Sequence, residues 1–244
     1  MKQKFLLNLA YDGTFFHGWQ VQKNVATIQQ VIESALKKIF KVKTNLIASG
    51  RTDAGVHAIN QYAHFSAKTR MTPEQIVKAL NSLLPDSIYI KKCKKVEANF
   101  HSRFDASERI YLYKICKKFS PFIRNYAVFY QKEKLDISLL NKASKFLLGE
   151  HDFEVFAKDT SHLCHCVCEV RKAEWQEKED QYLFYISANR FLHNMVRRLL
   201  GTYIRINNER LAEDYFLKIL KMQDLDMIGT TAPAHGLYLY DVKY

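Results

Sequence analysis

The residues best suited to chemistry lie in the stretch at positions 49–58, SGRTDAGVHA. Gly50 and Gly55 bracket Asp53 there, and the stretch fits neither the alternation of a strand nor the period of a helix. Such loops hold a polar side chain at a fixed point, since glycine accepts backbone conformations that other residues avoid. Asp53 could also cap N–H groups in a structural turn. The sequence therefore predicts a carboxylate held in a defined loop.

A second candidate is the His- and Cys-rich stretch at positions 162–168. Structural zinc sites usually take two pairs of ligands spaced C-x₂₋₄-C, and no second pair stands elsewhere in the chain. We therefore predict no metal site. Cys164, Cys166 and Cys168 alternate, which favours buried thiols on one face of a strand.

Positions 109–132 combine basic residues with aromatic ones and contain no acid. This mixture suits RNA, whose phosphates pair with cations and whose bases stack on rings. The simpler alternative is that Tyr111 and Tyr113 pack one face of a strand while the lysines are solvated.

Positions 190–205 contain four arginines and no acid, with an apolar seam at helical spacing. The predicted helix places Arg190, Asn194, Arg197 and Gly201 on its other face. Gly201 would allow a ligand or another backbone to approach closely. An RNA-facing helix and a merely solvated helix face are both consistent with this pattern.

Composition narrows the class of protein. The chain has 244 residues and a formal net charge of +12, which favours a polyanionic partner over a surface that is basic only for solubility. The five cysteines are an odd number without a C-x-x-C pair, which predicts reduced thiols and a cytoplasmic location. We find neither a signal peptide nor a membrane span in the sequence.

The elements that must position these residues follow from periodicity. The first hundred residues predict the order β-α-β-β-α-β, the split pattern of ferredoxin-like domains, and the remainder repeats that order loosely. The fold class is therefore α+β, with two halves at 1–105 and 106–244 whose antiparallel sheets lie side by side and form a central basic cleft. Predicted strands cover 4–10, 42–48, 60–67, 87–96, 109–118, 167–176, 182–188 and 237–243, and predicted helices cover 27–40, 72–84, 136–148, 190–204 and 211–222. Thr27 and Gln30 have capping-box spacing, and Gly149 is predicted to close the third helix.

Seven blocks in order resemble the TruA family of tRNA pseudouridine synthases over nearly the full length. The two most distinctive are YDGTFFHGWQ at 11–20 and GRTDAGVHA at 50–58, and the others are RIYLYKI at 109–115, PFIRNYA at 121–127, LLGEHDFEVF at 147–156, FLHNMVRRLLGT at 191–202 and APAHGLYLYDVKY at 232–244. The resemblance implies an isomerase that converts uridine to pseudouridine at positions 38, 39 and 40 of the tRNA anticodon arm. It implies a homodimer that uses no cofactor.

The resemblance also implies roles for individual residues. Asp53 matches the catalytic aspartate, Arg197 its basic partner and Tyr111 the tyrosine that stacks on the base. We expect further substrate contacts from the four residues Arg51, His57, Arg190 and Arg198. The sequence departs from the family at Arg198, where Asn is common, and at 164–168, where basic or hydroxylated residues are usual.

The reaction suits these residue types. A carboxylate, ionised at neutral pH, can stabilise or attack a sugar carbon as its C–N bond breaks, and a nearby arginine favours the ionised form. Bonding of Asp53 to the sugar, its addition to the uracil ring and its removal of a sugar proton all stay open. Two other functions compete: an RNA-binding module without catalysis, which gives no reason for the carboxylate, and a metal-dependent hydrolase built on residues 162–168.

Overall fold

The computed structural model describes residues 2–130, 134–161 and 163–244. The chain is mixed α+β with mostly antiparallel strand pairing, and it divides into two compact units. Unit 1 comprises Met1–Ser107 and Tyr238–Tyr244, and unit 2 comprises Glu108–Leu237. The last strand thus packs with unit 1, whereas the sequence placed it in the second half. Within the described ranges, no helix is long and apolar enough to cross a membrane.

Unit 1 follows the predicted order of elements. They are β1 Gln3–Tyr11, α1 Ile28–Phe40, β2 Ile47–Ala48, β3 His57–Ala67, α2 Pro73–Asn81, β4 Ile88–Val96 and, from the end of the chain, β10 Leu237–Lys243. The strands run in the order β4-β1-β3-β10, with β2 beside β3. β1 is antiparallel to both neighbours, and β10 is parallel to β3. The apolar sides of α1 and α2 are buried, as are Phe5, Leu7 and Leu9 of β1.

The helices of unit 1 begin close to their predicted starts. The predicted capping box at Thr27 is wrong, because its side chain makes no cap and its hydroxyl is buried without a hydrogen bond within the described part of the chain. A capping box forms instead at Thr72 and Gln75, where each side chain bonds the other residue's backbone N–H. The predicted strand at 42–48 is reduced to β2, which has only two residues.

Unit 2 contains β5 Glu108–Cys116, β6 Val128–Phe129, α3 Ile137–Ser144, β7 Gly149–Asp152, β8 Val167–Glu177, β9 Gln181–Ala188, α4 Met195–Glu209 and α5 Tyr215–Met222. The strand order is β5-β9-β8-β7, all antiparallel, and β6 pairs with β5 in parallel. Its core is aromatic: the ring of Tyr203 lies 5.3 Å from Trp175, 5.0 Å from Phe184 and 4.7 Å from Phe216.

Three predictions in unit 2 are wrong. The helix predicted from 190 begins at Met195, because Asn194 has a left-handed backbone with φ of 63°. Arg190 therefore lies outside the helix and does not share a helical face with Arg197. Gly149, with φ of 92°, opens β7 instead of closing a helix, since α3 ends at Ser144 and a 3₁₀ turn follows.

The cysteine prediction is also wrong in part. β8 begins at Val167, so Cys164 and Cys166 precede the strand. Cys166 and Cys168 are buried, as predicted, but Cys164 is exposed. A strand pattern extended past its true start misplaces these side chains, because the loop before β8 follows no alternation.

Candidate active site

The loop that carries Asp53 lies between β2 and β3 of unit 1 and is fixed at its first residues by β3. The Ser49 backbone N–H donates to the Tyr62 carbonyl at 2.8 Å, and the Gln61 side chain donates to the Gly50 carbonyl at 2.9 Å. The Ser49 hydroxyl donates to Gln61 Oε1 at 2.6 Å. These bonds fix the start of the loop, and the half-buried Asp53 follows it.

The segment at positions 11–20 holds the same loop from its other side. The Trp19 backbone N–H donates to the Thr52 carbonyl at 3.0 Å, and the Gly55 N–H donates to the Phe16 carbonyl at 3.3 Å. The Tyr11 hydroxyl lies 2.7 Å from Thr52 Oγ1. Burial raises the pKa of the Tyr11 phenol, which stays neutral and available for this hydrogen bond. Thr52 and Gly55, which stand on opposite sides of Asp53, are thus tied to this segment.

Two glycines of this segment make the contact possible. A Cβ on Gly13 would lie 2.0 Å from the Val56 carbonyl oxygen, and one on Gly18 would lie 2.7 Å from the Thr52 carbonyl oxygen. Gly18 also has φ of 84°. Only glycine allows the two backbones to approach this closely. The block at 11–20 is distinctive in the sequence, but the sequence did not reveal that its two glycines lie against the Asp53 loop.

His57 is buried at the end of the Asp53 loop. Its Nδ1 lies 3.1 Å from the Gly13 backbone nitrogen and 3.1 Å from an Asp12 carboxylate oxygen. Its ring stacks on Tyr238 with 4.7 Å between centroids. His57 therefore joins the two segments from within, whereas Arg51 is exposed at the surface of the loop.

The remaining predicted site residues lie in unit 2. Tyr111 is a buried residue of β5, and Phe191 packs edge-on against its ring at 5.1 Å. Arg197, in the first turn of α4, donates through Nε to the Ala232 carbonyl at 2.8 Å and through Nη1 to Asn194 at 3.2 Å. These bonds hold its guanidinium in one orientation. Burial raises the pKa of Tyr113, and the positive charge of Arg197 opposes that rise.

Arg190 and Arg198 have different surroundings within unit 2. Arg198 donates through Nη1 to the Val155 carbonyl at 3.3 Å and to the Ala157 carbonyl at 2.5 Å, so it anchors the backbone there. The positive charge of Arg190 reaches the thiols of Cys166 and Cys168 and opposes the rise in pKa that burial causes in both. The structure thus places three predicted site residues in unit 1 and four in unit 2.

Gly201 allows another segment of backbone to lie close to α4. A Cβ there would lie 1.7 Å from the Thr230 carbonyl oxygen, and one on Gly229 would lie 2.0 Å from the Gly201 carbonyl oxygen. The Ala232 N–H donates to the Arg197 carbonyl at 3.0 Å on the same helix. The glycine therefore lets the segment that anchors Arg197 lie against α4.

The aromatic and basic stretch at 109–132 divides into two parts. Tyr111 and Tyr113 are buried in β5, as the packing alternative predicted, but Arg109 is buried there as well and Lys114 is half-buried. Phe119, Phe122 and Tyr126 are exposed beyond the strand. Positions 131 and 132 lie outside the described residues.

Among the residues that the structure describes, one cluster has the residue types of a metal site. The ligand atoms of Asp152, Glu154 and Cys166 lie within 4.8 Å of one another. The Asp152 carboxylate also accepts from the Glu154 backbone N–H at 2.9 Å, and Glu154 accepts from the Thr160 hydroxyl at 3.0 Å. His162, which belonged to the zinc alternative, lies outside the described residues.

Comparison with known proteins identifies the family of this chain. A model of the tRNA pseudouridine synthase family matches residues 9–105 and 143–244. A tRNA pseudouridine synthase A of Thermoanaerobacter sp. (strain X514) is 40% identical over 241 residues, which cover 98% of each chain. A protein of the same name from Bacteroides fragilis is 38% identical over 99% of this chain and 96% of its own. One from Pseudothermotoga lettingae is 39% identical over 99% of this chain and 100% of its own. The chain therefore belongs to the tRNA pseudouridine synthase family.

Proposed function

We propose that this protein isomerises uridine to pseudouridine in tRNA, and that Asp53 supplies the catalytic carboxylate. The observation that supports this role most strongly is the double bracing of the Asp53 loop, by β3 on one side and by positions 11–20 on the other. A carboxylate that merely closed a turn would not need two segments of backbone to hold it. Preorganised groups stabilise developing charge because they need not reorganise during the reaction.

The substrate we propose is the anticodon arm of tRNA, modified at positions 38, 39 and 40. The names of the relatives give tRNA as their substrate, and the net charge of +12 suits a polyanion. The protein then acts in the cytoplasm, where tRNA is modified, and as a homodimer. No cofactor is required, because the sugar's bond to a uracil nitrogen breaks, the same uracil rejoins the sugar through a ring carbon, that carbon loses a proton while the released nitrogen gains one, and no electrons are gained or lost.

The finer architecture belongs to this proposal. The order of elements in unit 1 supports a ferredoxin-like half at 1–105, and the loosely similar order in unit 2 supports a second at 106–244. Two such halves with a basic cleft would offer a long RNA a continuous surface. The last strand, β10, would belong to the first half because it packs with unit 1.

The roles of the other site residues follow from their surroundings. Arg197 is held in one orientation by two hydrogen bonds and is the proposed basic partner of Asp53, while Tyr111 is the proposed stacking residue. Arg51, exposed beside Asp53, is suited to a phosphate. Arg190 and Arg198 are the other proposed contacts to RNA. His57 is buried, so its proposed contribution to substrate binding is to fix the loop.

The test is Asp53→Asn, which removes the charge and changes almost nothing in shape. We expect the variant to fold and to bind tRNA, but to form pseudouridine more than about a hundredfold more slowly, since it loses the ionised carboxylate. Asp86→Asn is the matched control, because Asp86 is an exposed aspartate of the same unit. Pseudouridine formation by Asp53→Asn at the rate of Asp86→Asn would refute the proposal.

A further inference from the structure

Phe15 is the one aromatic side chain of positions 11–20 that is largely exposed. It is 80% exposed, whereas Tyr11 and Trp19 are buried. Its immediate neighbours are the polar Thr14 and the half-buried Phe16, and the polar His17 follows, so the exposed apolar surface of this turn is mainly that of one ring, which is smaller than the continuous patches that dock another protein. A single flat ring among polar groups is suited instead to the face of another flat ring.

The backbone on both sides of Phe15 is fixed. Asp12 accepts from the Thr14 N–H at 2.9 Å, which closes the turn before the ring. The Phe16 N–H donates to the Gly13 carbonyl at 3.0 Å, and the Phe16 carbonyl accepts from Gly55 at 3.3 Å. Phe15 is thus presented from a rigid turn that is bonded to the Asp53 loop.

We propose that Phe15 is a stacking platform for an RNA base that flanks the target uridine. This inference rests on the proposed function. A uridine must leave its stack before it can react, and its departure uncovers the faces of neighbouring bases. The Phe15 ring, held on the turn that is bonded to the Asp53 loop, covers one of those faces. Arg51 stands exposed in the same loop, where a cation can pair with the phosphate of the same nucleotide.

The size of the effect follows from the strength of stacking. Base–aromatic stacking measured by alanine substitution corresponds to about a 5- to 150-fold change in binding. Because the stacked state forms only after the target base leaves the helix, we expect the loss of stacking to appear mainly as a lower kcat/KM. Phe15 is then a positioning residue for the RNA, without a role in bond breaking.

The experiment compares four proteins on a tRNA anticodon arm: wild type, Phe15→Ala, Phe15→Leu and Phe15→Trp. Phe104→Ala is the control, because Phe104 is 74% exposed in the same unit but packs on the His101 ring at 4.3 Å. A second readout places the fluorescent base 2-aminopurine beside the target uridine, where stacking on a ring quenches its emission.

We expect Phe15→Ala and Phe15→Leu to lower kcat/KM at least about fivefold and to abolish the quenching. Phe15→Trp should retain both properties, and Phe104→Ala should match wild type. If Phe15→Leu equals wild type in rate and quenching, the stacking inference is overturned while the proposed function stands. If the wild-type protein quenches 2-aminopurine through Phe15 but forms no pseudouridine, the stacking is supported and the proposed function fails.

Discussion

Gly13→Ala tests whether the contact between positions 11–20 and the Asp53 loop controls activity. The added Cβ would lie 2.0 Å from the Val56 carbonyl oxygen, and real Cβ contacts essentially never fall below 3.0 Å. The two backbones must therefore separate by at least 3.0 minus 2.0, or 1.0 Å. Val56 N donates to the Asp53 carbonyl at 3.2 Å, so movement of Val56 is transmitted to Asp53.

A displacement of about 1 Å at a reacting group can reduce the rate about a hundredfold. We expect Gly13→Ala to lower kcat/KM by about that factor. Overpacking of this kind also costs about 1 to 3 kcal/mol of unfolding free energy. For a chain of this size, each kcal/mol lowers the melting temperature by about 2 to 4 °C.

The assay is pseudouridine formation with saturating and with limiting tRNA, together with thermal unfolding. Gly50→Ala is the control, because it lies in the Asp53 loop itself and its added Cβ meets nothing within 4 Å. This variant should match wild type in activity and should be no less stable. Equal kcat/KM for Gly13→Ala and Gly50→Ala would refute the reasoning that the close backbone approach positions Asp53.

Three further predictions concern stability and binding. Burial, aided by the charges of His101 and Lys4, lowers the pKa of His64 to about 4 from its ordinary value of 6.5. The contribution of His64 to the unfolding free energy should therefore be fully present above pH 6.5 and be lost as the pH falls from 6.5 to 4, by up to about 3 kcal/mol, because the unfolded chain binds the proton first. Urea unfolding at several pH values checks this, and a His64→Gln variant with the same pH dependence would count against it. Gly201→Ala should lower the unfolding free energy by about 1 to 3 kcal/mol, because its Cβ would meet the Thr230 carbonyl oxygen at 1.7 Å; an unchanged urea midpoint would contradict this contact. Affinity for tRNA should fall steeply between about 50 and 200 mM salt, since neutralised phosphates release counterions. Fluorescence anisotropy that shows salt-independent binding would contradict an electrostatic interface.

Local patterns in the sequence determined most elements of secondary structure. The apolar period of α1 predicted a helix at 27–40, and the structure has it at Ile28–Phe40. The strand predicted at 237–243 is β10. These predictions are confirmed because periodicity reports which side of an element is buried, and burial dominates the stability of helices and strands alike.

Sequence patterns failed where a single backbone conformation decided the outcome. The left-handed backbone of Asn194 delays α4 to Met195, although the apolar spacing begins earlier. Gly149 opens β7 with positive φ, although a glycine after a helical pattern usually ends a helix. Periodicity does not report these two backbone conformations, because it records which side chains are apolar and not the φ angle of a single residue.

For the candidate site, the sequence by itself determined the carboxylate, its glycine-bracketed loop and the family blocks that gave Asp53 a proposed role. Only the tertiary structure showed what holds that loop. Gly13 approaches Val56, and Trp19 bonds to Thr52, across separations of more than thirty residues. The physical reason is that a close contact between distant backbones shows in the sequence only as a requirement for glycine. A glycine indicates that a side chain would not fit there, but it does not indicate which distant atom occupies the space.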